Sequence, residues 1–478
     1  MFLGIDLGTS SVKALLIDEA QAIVAEATAP LTVSRPHPGW SEQAPADWIE
    51  ATRAALTALG AKTPLDGVKG IGLSGQMHGA TLLDKAHDVL RPSILWNDTR
   101  AGAEAADLSS IPGYAQKAGS LIFAGFTAPK LVWVARNEPD LFKQTALVLL
   151  PKDYLRLWLT GEAVSEMSDA SGTAWLDVGA RNWSPELLSE SELSTDNMPR
   201  LVEGSATSGT LRAEVASEFG LPAGIPIAGG GGDNAAAAIG MGVTQPSTAF
   251  VSLGTSGVVF APAANFSPMP SSATHTFCHA LPDLWHHMGV ILAATDALNW
   301  YASLTGADPA TLTEGLGPLQ PPGRAMFLPY LGGERTPHNA PDARASFIGL
   351  GHEVDRAAGA RAVMEGVAFA LRDCAEALSA CGTHLDEVIA VGGGSRSRYW
   401  LELIATVLGV PVNVPADGDF GAAFGAARLG ALAAGADVSI VTPPAIQETI
   451  APSNALSGAF ADAHHRYKAT YNALEDLS

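Results

Sequence analysis

Two copies of one short string hold the residue types best suited to chemistry. Leu7-Gly8-Thr9-Ser10-Ser11-Val12 and Leu253-Gly254-Thr255-Ser256-Gly257-Val258 share L-G-T-S-x-V and lie about half the chain apart. Each copy sits between two strand-like runs, so each predicts a strand, a tight turn and a second strand. Successive backbone N–H groups and hydroxyls in such a turn cradle anionic oxygens, phosphate above all. One turn alone is an ordinary hairpin, but two that open two matching domains can grip a polyphosphate from both sides, with Lys13 beside the first. Two aspartates are placed to complete such a site: Asp6 ends the first strand, and Asp233 follows the run IPIAG and three further glycines. Phosphoryl transfer to an alcohol needs a carboxylate to take the hydroxyl proton and a divalent cation to bridge phosphates. Asp6 and Asp233 are therefore the candidate catalytic and Mg²⁺-binding residues, with their division of labour left open.

Other motifs sort by context. No lysine follows a glycine, which excludes a Walker A loop. A G-x-G-x-x-G string at Gly70, Gly72 and Gly75 leads into Gln76, Met77, His78 and an apolar strand-like run instead of a helix, so it reads as a decoy and not a dinucleotide fingerprint. The turn Gly392, Gly393, Gly394, Ser395 follows the strand-like EVIAV and precedes the helical SRYWLELIATVLG. There a flat nucleoside can lie against backbone. Polar sugar recognition needs a few fixed donors and acceptors with apolar padding. SGQMHGA offers Gln76, Met77 and His78, and LWNDTR offers Trp96, Asn97, Asp98 and Arg100. Trp40 and Trp133 read as packing residues, and spacing assigns no role to Arg335, His338 and Asn339 in GGERTPHN.

These residues must be held by alternating strands and helices. FLGID, VKALLID and IVAEATAPL predict a meander, and PADWIEATRAALTALG predicts a helix over 45–60, started by Pro45 and stopped by Gly60, with Trp48, Ile49, Ala55, Leu56 and Leu59 on one face. Strands and helices alternate through both halves, which is an α/β pattern. The Gly-rich run 227–242 is a candidate hinge, with the boundary near Pro246. At 478 residues the chain has room for two or three domains, each with its own core. With 28 Lys+Arg against 49 Asp+Glu it carries a net charge of −21, and no basic stripe suits nucleic acid. Three widely spaced cysteines, no basic leader and no apolar run of about 18 residues predict a soluble cytoplasmic protein that does not enter a membrane. The oligomeric state stays open, a homodimer included.

Ten strings in order resemble the FGGY carbohydrate kinases, among them GIDLGTSSVK, GQMHGATLLD, LWNDTR, GFTAPKLVWV, LLPKDYLRLWLTGE, GGGDNAAAAIG, SLGTSG and FLPYLGGERTPHN. The resemblance implies two actin-like, ribonuclease-H-like α/β domains with an active-site cleft between them, 1–243 for the sugar and 244–478 for ATP. It implies ATP and Mg²⁺ as cofactors and an open-chain ketose, D-xylulose, phosphorylated at its 5-hydroxyl in D-xylose catabolism. Ribulose, gluconate and glycerol are the alternatives within the family. On the matching positions it makes Asp233 the general base and Met77, His78 and Asn234 sugar-pocket residues. Gly254 to Ser256 and Gly392 to Ser395 fall on the ATP side, and Asp6 helps to place the metal or the transferring group. One departure, Ala358-Gly359, puts local helix stability in question there. A remoter reading is an actin-like or chaperone-ATPase-like nucleotide switch with a protein partner.

Overall fold

The computed structural model describes residues 1–416 and 420–475. Its N-terminal meander is β1 (Phe2–Leu7), β2 (Ser11–Ile17) and β3 (Ile23–Pro30), all antiparallel. The helix α1 (Pro45–Gly60) has the bounds that Pro45 and Gly60 announce. Strand alternation sends Leu3, Ile5 and Leu7 to one face, where they share a core with Trp48, Ala55, Leu56 and Leu59 of α1. Gly4 and Asp6 therefore belong to the opposite face. Next, β4 (Gly70–Gly75) lies parallel to β1, with Asp6 opposite Ser74, so the G-x-G-x-x-G string is itself a strand. The segment between β4 and the end of this half folds round its own core of Met77, Tyr114, Phe126 and Trp175. The sheet is completed by β5 (Thr207–Thr210), β6 (Pro226–Ala228) and the short β7 (Gly231–Gly232), which runs beside Ser74 and Gly75. Its order is β5-β6-β4-β1-β2-β3. The helix α2 (Asp233–Gly240) follows β7 directly.

The second half repeats the plan. Its strands are β8 (Phe250–Leu253), β9 (Gly257–Ala263), β10 (His275–Cys278), β11 (Trp285–Ile291), β12 (Val388–Val391), β13 (Val412–Pro415) and β14 (Ile446–Ile450). They are ordered β10-β11-β9-β8-β12-β13-β14. The antiparallel trio β8, β9, β11 matches β1, β2, β3, and the parallel neighbours β12 and β13 match β4 and β6. The duplicated string is thus the trace of a duplicated sheet. Helices α3 (Thr295–Thr305), α4 (Arg356–Ala380) and α5 (Arg398–Leu408) accompany this sheet, and Val251 and Leu253 share a core with Val363, Val367 and Trp400. The Ala358-Gly359 departure has a local reason. Asp355 caps α4 by accepting from Ala358 N–H at 2.8 Å, and a Cβ on Gly359 would stand 2.1 Å from the Tyr301 hydroxyl.

One helix of each half lies on the other half. From the second half, α6 (Ala422–Ala433) crosses β1 and β4, while Ala238 and Met241 at the end of α2 pack with Phe250 and Phe260. The crossing is glycine-made: a Cβ on Gly72 would lie 1.7 Å from the Ala426 carbonyl, and one on Gly425 1.7 Å from the Ala236 carbonyl. Arg428 of α6 donates to the carbonyls of Ile239 and Gly240 at 3.0 and 3.2 Å. The run 227–242 is accordingly β6, β7 and packed α2, not a loose hinge, because its glycines serve close backbone approach.

Candidate active site

The crossing delivers Asp233. As the first residue of α2 it follows β7, whose Gly232 N–H donates to Ser168 Oγ at 3.1 Å. Ser168 in turn donates to Glu166 at 2.9 Å, and Glu166 caps the short helix Met167–Ser171 through the N–H groups of Ser168 and Asp169. Behind Glu166 lies a fully buried group of charges: Lys152 Nζ is 2.8 Å from Asp153, 3.4 Å from Asp169 and 3.6 Å from Glu166, with Arg156 alongside. Burial, with Asp153 and Glu166 adding, pushes the Asp169 carboxyl well above its ordinary value. The backbone ahead of Asp233 is therefore held by a buried ionic frame. Asp233 Oδ1 accepts from Asn234 N–H at 2.7 Å and from Asn234 Nδ2 at 2.9 Å. Burial raises the Asp233 carboxyl above its ordinary value, and these two bonds pull the other way. A raised carboxylate is the stronger proton acceptor.

Beside it run Met77 and His78. A Cβ on Gly232 would stand 2.9 Å from Met77 Sδ, and one on Gly172 2.6 Å from His78 Cε1, so two glycines make room for these side chains. His78 takes a positive φ of 69°. Its Nδ1 lies 2.6 Å from the Gly172 carbonyl; a carbonyl only accepts, so Nδ1 carries the proton and Nε2 keeps its lone pair. The ring stacks on Phe126 with centroids 4.5 Å apart. Burial pulls its pKa down to about 3, which keeps the imidazole neutral. Thr127 Oγ1 and Lys130 Nζ donate to the His78 carbonyl at 3.1 and 2.9 Å, and burial brings the Lys130 ammonium well below the usual lysine range.

The other expected sugar residues have partners within the protein. Gln76 donates to Gln43 at 3.0 Å and accepts from Thr9 Oγ1 at 3.0 Å, while Trp96 Nε1 donates to that hydroxyl at 2.9 Å. Gln76 is buried and ties the first turn to the end of β4, whereas Trp96 is 47% exposed. Asp98 is 1% exposed and both its oxygens are committed, to Ser41 N–H at 2.6 Å and to Arg100 at 2.7 and 2.9 Å. It ties Ser41 to Arg100. The Arg100 guanidinium stacks 3.5 Å over Trp40, which meets Trp133 edge-on, so both tryptophans are packing residues. In the first turn Gly8 N–H donates to the Ser11 carbonyl at 3.0 Å and Ser10 is exposed. Lys13 forms an ion pair of 2.8 Å with Glu26 across the meander.

On the second half, the carbonyls of Gly254 and Thr255 accept from Thr295 and Ala294 N–H at 2.9 and 2.8 Å, fixing the turn to the start of α3, while Thr255 and Ser256 are exposed. Gly392 has φ +89°, and a Cβ there would be 2.7 Å from the Leu253 carbonyl. This seats the Gly392 to Ser395 turn against the phosphate-type turn. A cavity of about 840 Å³ opens between Gly393, Gly394, Ser397 and the α3 residues Leu298 and Asn299. A second, of about 1010 Å³, runs from Gly392 and Ser395 past Ser252 to Asn234. Asn234, next to Asp233, thus shares one cleft with the second half's turns.

Sequence profiles of the FGGY family of carbohydrate kinases match residues 1–240 with the N-terminal domain and 249–434 with the C-terminal domain. The chain belongs to this family. It is 50% identical over 444 residues to the xylulose kinase of Escherichia coli (strain K12), covering 92% of each chain, and 51% identical over 432 residues to that of Klebsiella pneumoniae, covering 90% of this chain and 89% of the relative. The crystal structure of a "xyloylose kinase" from Brucella ovis superposes with a TM-score of 0.98 at 59% identity, over the whole of both chains. As a carbohydrate kinase the chain uses ATP as its phosphoryl donor, and its fold is the two-domain actin-like α/β fold. For a divalent cation, this FGGY kinase offers Asp6 and Asp233 at the ends of β1 and β7, with only β4 between those strands. Two hard carboxylates suit Mg²⁺, which takes one or two of them and fills its octahedron with phosphate oxygens and water. Among the described residues the one cluster of three metal-ligating side chains is Asp373, Glu376 and His464, on α4 and the C-terminal helix. Glu376 there already pairs with Lys468 and Arg372.

Sequence reading missed Phe126, Lys130, Ser168 and Gly172. Phe126 and Lys130 stand in GFTAPKLVWV, a string that carried the resemblance without roles. Ser168 and Gly172 had no signal beyond being small.

Proposed function

We propose that this kinase transfers the γ-phosphoryl group of MgATP to the 5-hydroxyl of D-xylulose, in the cytoplasm. Half-identity with xylulose kinases along most of the chain supports the substrate. The chemistry rests on one observation, a carboxylate raised by burial that begins one residue past the glycine against which Met77 packs. In this reading residues 1–243 hold the sugar and 244–478 the nucleotide, with the nucleoside between Gly393 and Asn299. Asp233 accepts the O5 proton as O5 bonds to Pγ and the bond from Pγ to the bridging oxygen breaks, releasing ADP. A divalent cation would supply charge neutralisation at the phosphate oxygens as the transfer proceeds. Asp6 and Asp233 would hold it. Asn234 fixes one Asp233 oxygen and so directs the other, while the turns at Thr9 to Ser10 and Gly254 to Ser256 supply N–H groups to the phosphates. Exclusion of water as the halves close steers transfer to the sugar and away from hydrolysis.

The test is ADP release in a coupled assay across D-xylulose, D-ribulose, gluconate and glycerol. D-xylulose is expected to give the highest kcat/KM. A higher value on another acceptor refutes the substrate, and ADP release indifferent to every sugar refutes the kinase reading in favour of a nucleotide switch.

A further inference from the structure

The loop around Arg335 belongs to the second half but reaches the first. The Arg335 guanidinium carbon lies 4.6 Å from the centroid of the Phe123 ring. Phe123 meets Phe126 edge-on at 5.6 Å and His275 at 5.7 Å, and Phe126 carries the stacked His78. Arg335 thus covers an aromatic box whose wall is the sugar-side histidine. His275 is held by Ser120 Oγ at 2.8 Å from its Nδ1.

The backbone at Arg335 is fixed on several sides. Glu334 Oε1 accepts from Arg335 N–H at 2.7 Å and from Leu292 N–H at 2.9 Å, Asn339 N–H donates to the Arg335 carbonyl at 2.6 Å, and Thr336 N–H donates to the Val290 carbonyl at 3.0 Å. The guanidinium itself is not fixed. Among the described residues it donates no hydrogen bond and joins no ion pair, and the adjacent Glu334 carboxyl spends Oε1 on the backbone. The ring face of Phe123 attracts the cation but accepts none of its five in-plane N–H donors. A fork with donors to spare beside the aromatic box suits a ligand rich in oxygen.

The order of contacts gives the direction. Asp233 follows Gly232, Gly232 touches Met77, and His78 then leads through Phe126 and Phe123 to Arg335. A ketose with its 5-hydroxyl at Asp233 therefore presents its other end to Arg335, and His78 Nε2 is an acceptor along the way. We infer that Arg335, supplied by the nucleotide half, is a substrate-binding residue that donates hydrogen bonds to the C1 hydroxyl of the bound ketose. It rests on the D-xylulose reading above and adds the consequence that the sugar pocket is complete only with both halves in place.

The experiment compares wild type with Arg335→Leu and Arg335→Lys on D-xylulose and on 1-deoxy-D-xylulose, which lacks the C1 oxygen, with thermal melts to confirm folding. Arg335→Leu is expected to lower kcat/KM for D-xylulose by about 10- to 100-fold, as loss of a charged hydrogen bond would. The loss on the deoxy ketose should stay within about threefold, so the two substrates become nearly equivalent, and Arg335→Lys should recover part of the difference. The KM for ATP should change little in either variant. Equal losses on both ketoses, or no loss on D-xylulose in a folded variant, would overturn the assignment. Failure of wild type on D-xylulose would instead refute the acceptor, a separate result.

Discussion

Gly425→Ala tests whether the helix crossing sets the position of the base. The new Cβ would stand 1.7 Å from the Ala236 carbonyl oxygen, 2.7 Å from its carbon and 2.8 Å from Gly240 N. All three are backbone atoms, so no rotamer relieves the clash. Ordinary contact needs about 3.5 Å, so α6 and α2 must separate by nearly 2 Å at this point. Overpacking of this kind costs about 1–3 kcal/mol, which for a half of about 240 residues lowers Tm by roughly 2–12 °C. Ala236 is in the first turn of the helix that begins at Asp233, and a misplacement of about 1 Å at a catalytic group can cost about 10²-fold in rate. Saturating coupled assays and calorimetry should therefore show both losses together. Gly458→Ala is the control, since no heavy atom lies within 4 Å of its new Cβ and the C-terminal helix Ser457–Leu474 should gain slightly. Wild-type kcat and Tm in Gly425→Ala would refute the idea that the glycine crossing fixes Asp233.

Asp233→Asn should lower kcat by about 10²- to 10⁴-fold. Because burial raises the folded carboxyl, its contribution to stability is present at low pH and lost as pH rises through the folded value; the Asn variant should thus melt above wild type at pH 8, with the gap closing on acidification, and a constant gap would contradict this. Ser168→Ala removes the acceptor of Gly232 N–H and should reduce kcat by about tenfold with the sugar KM nearly unchanged. A larger effect on KM than on kcat would show that Ser168 acts on the sugar, not on Asp233. His78, held near 3, should show no titration of its ring resonances between pH 5 and 8; its contribution to stability is lost only as pH falls below about 6.5, and an NMR midpoint near 6.5 would remove the neutral acceptor from the site.

What sequence can and cannot express separates cleanly at particular residues. The bounds of α1 were legible because Pro45 and Gly60 are local signals, and the duplicated sheet was legible because its turn is written twice. The actin-like α/β class followed from alternation and resemblance together. Asp98 was less legible, because a polar residue in a promising string does not reveal its partners, here Ser41 and Arg100 on both oxygens. The box of His78, Phe126, Phe123 and Arg335 joins residues more than two hundred positions apart, a distance no spacing rule covers.

The glycines make the sharpest case. A run such as 229–232 has the same composition whether it bends freely or lets backbone meet backbone, and the difference lies in what packs against it. Here the partners are the Glu203 and Leu73 carbonyls and Met77, each within about 3 Å of where a Cβ would sit. With no side chains to hold the strand apart, β7 lies directly beside β4, and Asp233 is placed by backbone on one side and by α6 on the other. Rigidity at the base therefore comes from the residue type usually taken as the sign of its absence.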